Sequence, residues 1–221
     1  MLLYGEPKVK KSWLVQHLAF CVSMGEEWLG FHSTQARVLL ANFEISPISY
    51  HWRLKEMARR ITPQEQMLWE TSPMLKYLDD DHNFNEFRVL VRELQPKVIV
   101  LDCLAACFGG DENDGQQMAN WIGRMSELKA EFESSLVIVH HTNKNMLTSS
   151  ATDRARGHSR LTGWVDTLCF MTQQPSGIQL QFKARQATRE IPNTNILFNN
   201  YLWSVRGEAN ERQQAEQADI Q

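Results

Sequence analysis

The segment Gly5-Glu6-Pro7-Lys8-Val9-Lys10-Lys11-Ser12 fits the phosphate-loop pattern G-x-x-x-x-G-K-[ST] at every position but the second glycine, which is Lys10. Such loops hold a polyphosphate with backbone N–H groups and the positive end of a helix dipole. In this reading Gly5, Lys8, Lys10, Lys11, Ser12 and Trp13 form a nucleotide-binding segment. Lys11 would reach the terminal phosphates as a point charge, and the Ser12 hydroxyl would hold Mg²⁺. A basic loop that matches the pattern by chance is the competing reading of this segment taken alone. The missing glycine would have supplied room and freedom to adopt φ > 0. A lysine there is expected to strain or distort the loop, while adding a cation beside a strongly anionic ligand.

Three further sites could complete the chemistry. Asp102 follows the run Val98-Ile99-Val100-Leu101 and would hold Mg²⁺. Glu44 follows Leu39-Leu40-Ala41-Asn42-Phe43 and would act as general base on the attacking water. His140 and His141 follow Leu136-Val137-Ile138-Val139 and would sense the γ-phosphate. Each has a plainer reading as a cap, a surface residue or a strand end; their joint occurrence after the loop favours a nucleoside-triphosphate site. Cys103 and Cys107 with His140 or His141 match no zinc spacing.

These residues need strands to deliver them. Met1–Tyr4, Arg37–Phe43, Lys97–Asp102 and Leu136–His141 read as strands, with helices at 12–22, 49–60, 84–94 and 116–132 between them. The alternation predicts an α/β fold with a mainly parallel sheet flanked by helices, in which ligands bind at the carboxyl ends of strands. Segments 165–171, 178–183 and 196–205 read as C-terminal antiparallel strands or hairpins. Residues 1–206 are taken as one ATPase domain and 207–221 as a polar tail, disordered or helical and without an aromatic residue.

Composition narrows the partners. The chain has 221 residues and a net charge of −3, so a nucleic-acid contact must be a local patch rather than a global field. Lys144, Arg154, Arg156 and Arg160 form one such patch, opposed only by Asp153; a solvated loop is the alternative. No apolar run is long enough to span a membrane, no signal peptide is evident, and the four cysteines are scattered in apolar stretches. A cytoplasmic protein with reduced thiols is the expectation.

In order along the chain, these motifs resemble the RecA-like P-loop ATPases, in particular the branch of plasmid RepA-type hexameric replicative helicases (AAA-domain ATPases). The likeness runs from about Leu2 to Trp203. It adds Gly109–Asp114, Thr142-Asn143-Lys144, Arg156-Gly157-His158-Ser159 and Phe182-Lys183-Ala184-Arg185 to the segments above. The resemblance implies ATP and Mg²⁺, Glu44 as catalytic glutamate, Asp102 as metal-holding aspartate and His140–His141 as polar switch. It also implies that Lys183 and Arg185 enter a neighbouring copy's site, as two cations on one side of a strand. By the same resemblance the basic loop 144–160 lines a channel for single-stranded nucleic acid. The assembly would be a homo-oligomeric ring, hexameric in that branch, or a filament. Relatives carry sequence upstream of the first strand, so a trimmed or reduced chain is a further expectation.

The expected activity is therefore an ATP-dependent nucleic-acid motor or remodelling ATPase, related to helicases of DNA replication. The alternative is a hydrolysis-deficient nucleotide-binding scaffold or regulatory protein, with Lys10 as the disabling change. A signalling-type ATPase acting on proteins is a third reading and predicts no nucleic-acid affinity.

Overall fold

The computed structural model describes residues 1–61, 66–72, 77–141 and 159–207. Nine strands form one sheet in the order β3-β2-β4-β5-β1-β6-β7-β8-β9. The strands are β1 Leu2–Gly5, β2 Val38–Asn42, β3 Leu68–Thr71, β4 Val98–Asp102, β5 Ser135–His141, β6 Thr167–Gln174, β7 Gly177–Ala184, β8 Thr194–Asn199 and β9 Leu202–Val205. Every pairing from β3 across to β6 is parallel, and those from β6 to β9 are antiparallel. This is the α/β architecture the sequence predicts, antiparallel strands included.

The parallel strands are covered on both faces, which explains why they read as unbroken apolar runs. Successive side chains alternate between two cores. Leu2, Tyr4, Leu39, Ala41, Ile99, Leu101, Leu136 and Ile138 face one side. They meet α3 (Asp81–Leu94) and α5 (Gly115–Phe132) through Phe84, Phe87, Val91, Trp121, Met125 and Leu128. Leu3, Val38, Leu40, Val100, Val137 and Val139 face the other, against α1 (Lys11–Met24) and α2 (Pro47–Ala58). On α5 the buried residues Met118, Trp121, Met125, Leu128 and Phe132 follow the helical period, and Asp114 caps the start by accepting from the Gln116 and Gln117 N–H groups.

Three short elements were not legible in the sequence. Edge strand β3 exposes Trp69 and Glu70, so it lacks the apolar run of its neighbours. Helices α4 (Leu104–Cys107) and α6 (Ser159–Trp164) are too short to show a period. The 196–205 segment resolves into β8 and β9, turning at Asn200 and Tyr201. Both turn residues have positive φ, as a tight type I′ turn requires.

Candidate functional site

Four adjacent strands, β2, β4, β5 and β1, end side by side at the carboxyl edge of the sheet. Asn42 pairs with Asp102 across β2 and β4, and Gly5 pairs with His141 across β1 and β5. Glu44, Asp102, His141 and the loop after Gly5 therefore share one edge, brought there from positions up to 136 residues apart (141 − 5).

Gly5 opens the loop because nothing larger fits. A Cβ at this position would stand 2.2 Å from the Met171 carbonyl oxygen on β6. Lys10 is the N-cap of α1 and takes the left-handed conformation itself, with φ 67 and ψ 33. That costs about 1–2 kcal/mol for a residue with a side chain. The expected strain is thus present in the backbone: at Lys10 the loop keeps the glycine geometry without the glycine. The Lys10 side chain does not enter the loop but lies over the Phe198 ring, its Nζ 5.4 Å from the centroid. Lys8 also has positive φ and is exposed.

Lys11 is 3% exposed, and its Nζ donates to the Gly5 and Glu6 carbonyl oxygens at 2.9 and 2.7 Å. Burial pulls its pKa down to about 8, opposed by the Glu44, Cys103 and Asp102 side chains. The ammonium therefore sits at the mouth of the loop on weak neutral acceptors, which an anionic ligand would outcompete. Ser12 Oγ donates to Asp102 Oδ1 at 3.3 Å. Asp102 is 1% exposed, and its Oδ2 has no hydrogen-bond partner among the described residues. Burial pushes its carboxyl up to about 6, against the Ser12 hydroxyl, which favours the charged form. A buried, half-satisfied carboxylate beside a hydroxyl fits a hard cation such as Mg²⁺, which would satisfy the open oxygen.

Glu44 lies on the solvent side of this group. His141 Nε2 is 3.4 Å from Glu44 Oε2, and the Cys103 thiol donates to the same carboxylate. The His141 ring holds the Glu44 carboxyl below its usual range. His140, the other half of the pair, is 6% exposed and turned into the fold.

Two residues at the site were given no role from the sequence. Asn42 Nδ2 donates to the Ile45 carbonyl at 2.7 Å and to Ser72 Oγ at 2.9 Å, and its Oδ1 accepts from the Ile45 N–H at 3.1 Å. It pins the turn that carries Glu44; a polar residue ending a buried run was the available signal. Cys103 follows Asp102, and nothing in its spacing announced that it would meet Glu44.

Trp13 belongs to an aromatic group at the start of α1. Its ring stacks on Tyr201 (5.6 Å) and touches Phe198 (5.2 Å) and Trp52 (6.4 Å), with the Arg53 guanidinium 5.1 Å from its centroid. The β8–β9 hairpin is thereby fastened beside the loop.

The remaining predicted cations are elsewhere. Lys183 pairs across β7 and β6 with Leu168, which itself neighbours Leu2 at the start of β1. Lys183 and Arg185 thus stand toward the edge opposite the loop, and both are exposed. Arg185 donates to the Gly163 carbonyl at 2.5 Å and pairs with Asp166 at 3.3 Å. Arg160 is exposed on α6 beside the start of α5, where a side chain at Gly115 would meet it. Lys144, Arg154 and Arg156, like the tail from 208, lie outside the described residues. No helix among the described residues is long and apolar enough to cross a membrane.

The fold has a counterpart among solved structures. The chain is similar to a RadB recombinase structure, with a TM-score of 0.60 at 13% identity, over 92% of this chain and 88% of that one. No curated protein matches the sequence. The family model described as "AAA domain" matches residues 1–146, the stretch that carries the loop, Glu44, Asp102 and both histidines, and the chain belongs to that family.

Proposed function

We propose that this protein is an Mg²⁺-dependent ATPase whose turnover is coupled to single-stranded nucleic acid and takes place between copies of the chain. The convergence of Lys11, Ser12, Asp102 and Glu44 on one strand edge is the observation that carries this reading. Lys11 would leave the Gly5 and Glu6 carbonyls for the β- and γ-phosphates. Ser12 and Asp102 would hold Mg²⁺, which supplies charge neutralisation on the phosphoryl oxygens when bound. Glu44 would accept the hydrogen bond of the attacking water and take its proton as the bond to the γ-phosphorus forms and the β–γ bridging bond breaks, leaving ADP and phosphate. His141, beside both Gly5 and Glu44, would sense the phosphate.

Lys183 and Arg185 face away from their own loop, so any phosphate they meet belongs to another copy. That topology supports a ring or filament with shared sites, and Arg185 would have to exchange its Asp166 partner for the phosphoryl group. The nucleic-acid side of the proposal rests on the basic run Lys144, Arg154, Arg156 and Arg160 and on the fold shared with a recombinase. A helicase of the RepA type is the specific form suggested by the motif order.

The second reading, a nucleotide-binding scaffold, rests on Lys10. Its left-handed conformation supports a loop that still works, because the backbone shape for which glycine is normally used is present. The test is ATP turnover with and without single-stranded DNA across a salt series. DNA-stimulated turnover that fades steeply with salt supports the coupled ATPase. Turnover indifferent to DNA at low salt removes the nucleic-acid part, and ATP binding without turnover leaves the scaffold.

A further inference from the structure

Glu44, Cys103 and His141 each offer one ligand atom, and the three atoms lie within 4.8 Å of one another. They come from three separate segments: Cys103 and His141 match no zinc spacing in the sequence, and Glu44 joins them only in the fold. The carboxylate and imidazole are partly open to solvent (42% and 30% of each side chain), while Cys103 is 2% exposed and forms the floor. We propose that this trio is a binding site for a thiophilic divalent cation of the Zn²⁺ type, distinct from the Ser12–Asp102 position suited to Mg²⁺.

The chemistry follows from the donor set. One sulfur, one imidazole nitrogen and one carboxylate oxygen are the ligands of tetrahedral zinc, and three protein ligands leave the fourth position for water. Metal–ligand bonds of about 2.0–2.3 Å require donors drawn somewhat closer than they now stand. Glu44, half in solvent, has room to make that movement. Thiolate and imidazole select against Mg²⁺, whereas Ser12 and Asp102 offer oxygen alone. On binding, the Cys103 S–H bond breaks, its proton leaves to solvent, and the sulfur lone pair goes to the metal; no oxidation state changes. His141 and Glu44 already lie 3.4 Å apart, so a cation would replace a contact between them rather than open a new cavity.

The binding stands independently of ATP chemistry. Its consequence rests on the function proposed above: a Glu44 carboxylate committed to a metal cannot take a proton from water, so the cation would act as an inhibitor.

Cd²⁺ is the probe, because cadmium thiolates absorb in the ultraviolet. The full, nucleotide-free chain is titrated with Cd²⁺ in excess Mg²⁺. A thiolate-to-cadmium band saturating at one equivalent, lost in Cys103→Ser and weakened in His141→Ala, supports the site. Absence of the band, or a band that persists in Cys103→Ser and so belongs to another cysteine, overturns it. Zn²⁺ is then tested against ATP turnover. A band in a chain without turnover keeps the metal site and removes the ATPase reading; turnover without a band does the reverse.

Discussion

The two halves of the sheet use their strand ends differently. From β3 to β6 all strands run the same way, so their carboxyl ends and the start of α1 meet at one edge, and every predicted catalytic side chain of the first 141 residues lands there. From β6 to β9 direction alternates, and strand ends fall on both edges. Phe198 and Tyr201 return to the loop, while Lys183 and Arg185 stand opposite it. Parallel topology gathers these side chains at one edge. Antiparallel topology distributes contacts, one set bracing the copy's own loop and the other presented to whatever lies beyond it.

The sharpest way to break this comparison is to alter the buried edge of the parallel half. Asp102→Asn should reduce ATP turnover about 10²–10³-fold, the scale for losing one preorganised charged group. The same change should stabilise the nucleotide-free fold. The folded carboxyl has pKa about 6 against 3.8 in the unfolded chain, so the ionised form is penalised in the fold. That shift is worth up to about 3 kcal/mol at neutral pH. Stability lost to Asp102 is recovered as pH falls from about 7 through 6 toward 4, so wild type and variant should differ near pH 7.5 and converge near pH 4 in urea unfolding. A variant both inactive and less stable at neutral pH would contradict the account of a buried, half-satisfied carboxylate.

A smaller effect is expected where the halves join. Gly5→Ala puts a methyl group against the Met171 carbonyl and should cost about 2–3 kcal/mol by parting β1 from β6. An unchanged denaturation midpoint would mean that the loop's first glycine serves the ligand and not the sheet.

The smallest effect tests the brace from the antiparallel half. Lys10→Gly relieves the left-handed strain but adds unfolded-chain entropy and loses the Phe198 contact, so stability should change by less than about 1 kcal/mol. Turnover should change by less than about tenfold, which is under 1.4 kcal/mol in barrier. A much larger rise in turnover would favour the scaffold reading, with Lys10 as the lesion.

Most of the parallel half's strands and their polar ends were legible in the sequence, for a physical reason. A strand buried on both faces must be an apolar run, and a polar residue ending that run at the ligand edge is conspicuous; Glu44, Asp102 and His141 all stand out in this way. Lys10 shows the opposite case. Its identity was plain, but the direction of its side chain, over the ring of Phe198, is set by a hairpin 188 residues later (198 − 10). Arg185 was visible as a cation, yet its hold on Asp166 and the Gly163 carbonyl is tertiary. Cys103 looked like an ordinary buried thiol, and only the packing of β4 against β2 and β5 brings it to Glu44 and His141.

The most direct test of the central claim is Mg²⁺-dependent ATP turnover by the full chain, with Lys11→Ala as reference. The expected result is turnover well above that reference, requiring Mg²⁺ and lost in the variant while its fold is retained. Equal rates in the two proteins would contradict it, because the ammonium held on the Gly5 and Glu6 carbonyls would then have no phosphate to meet.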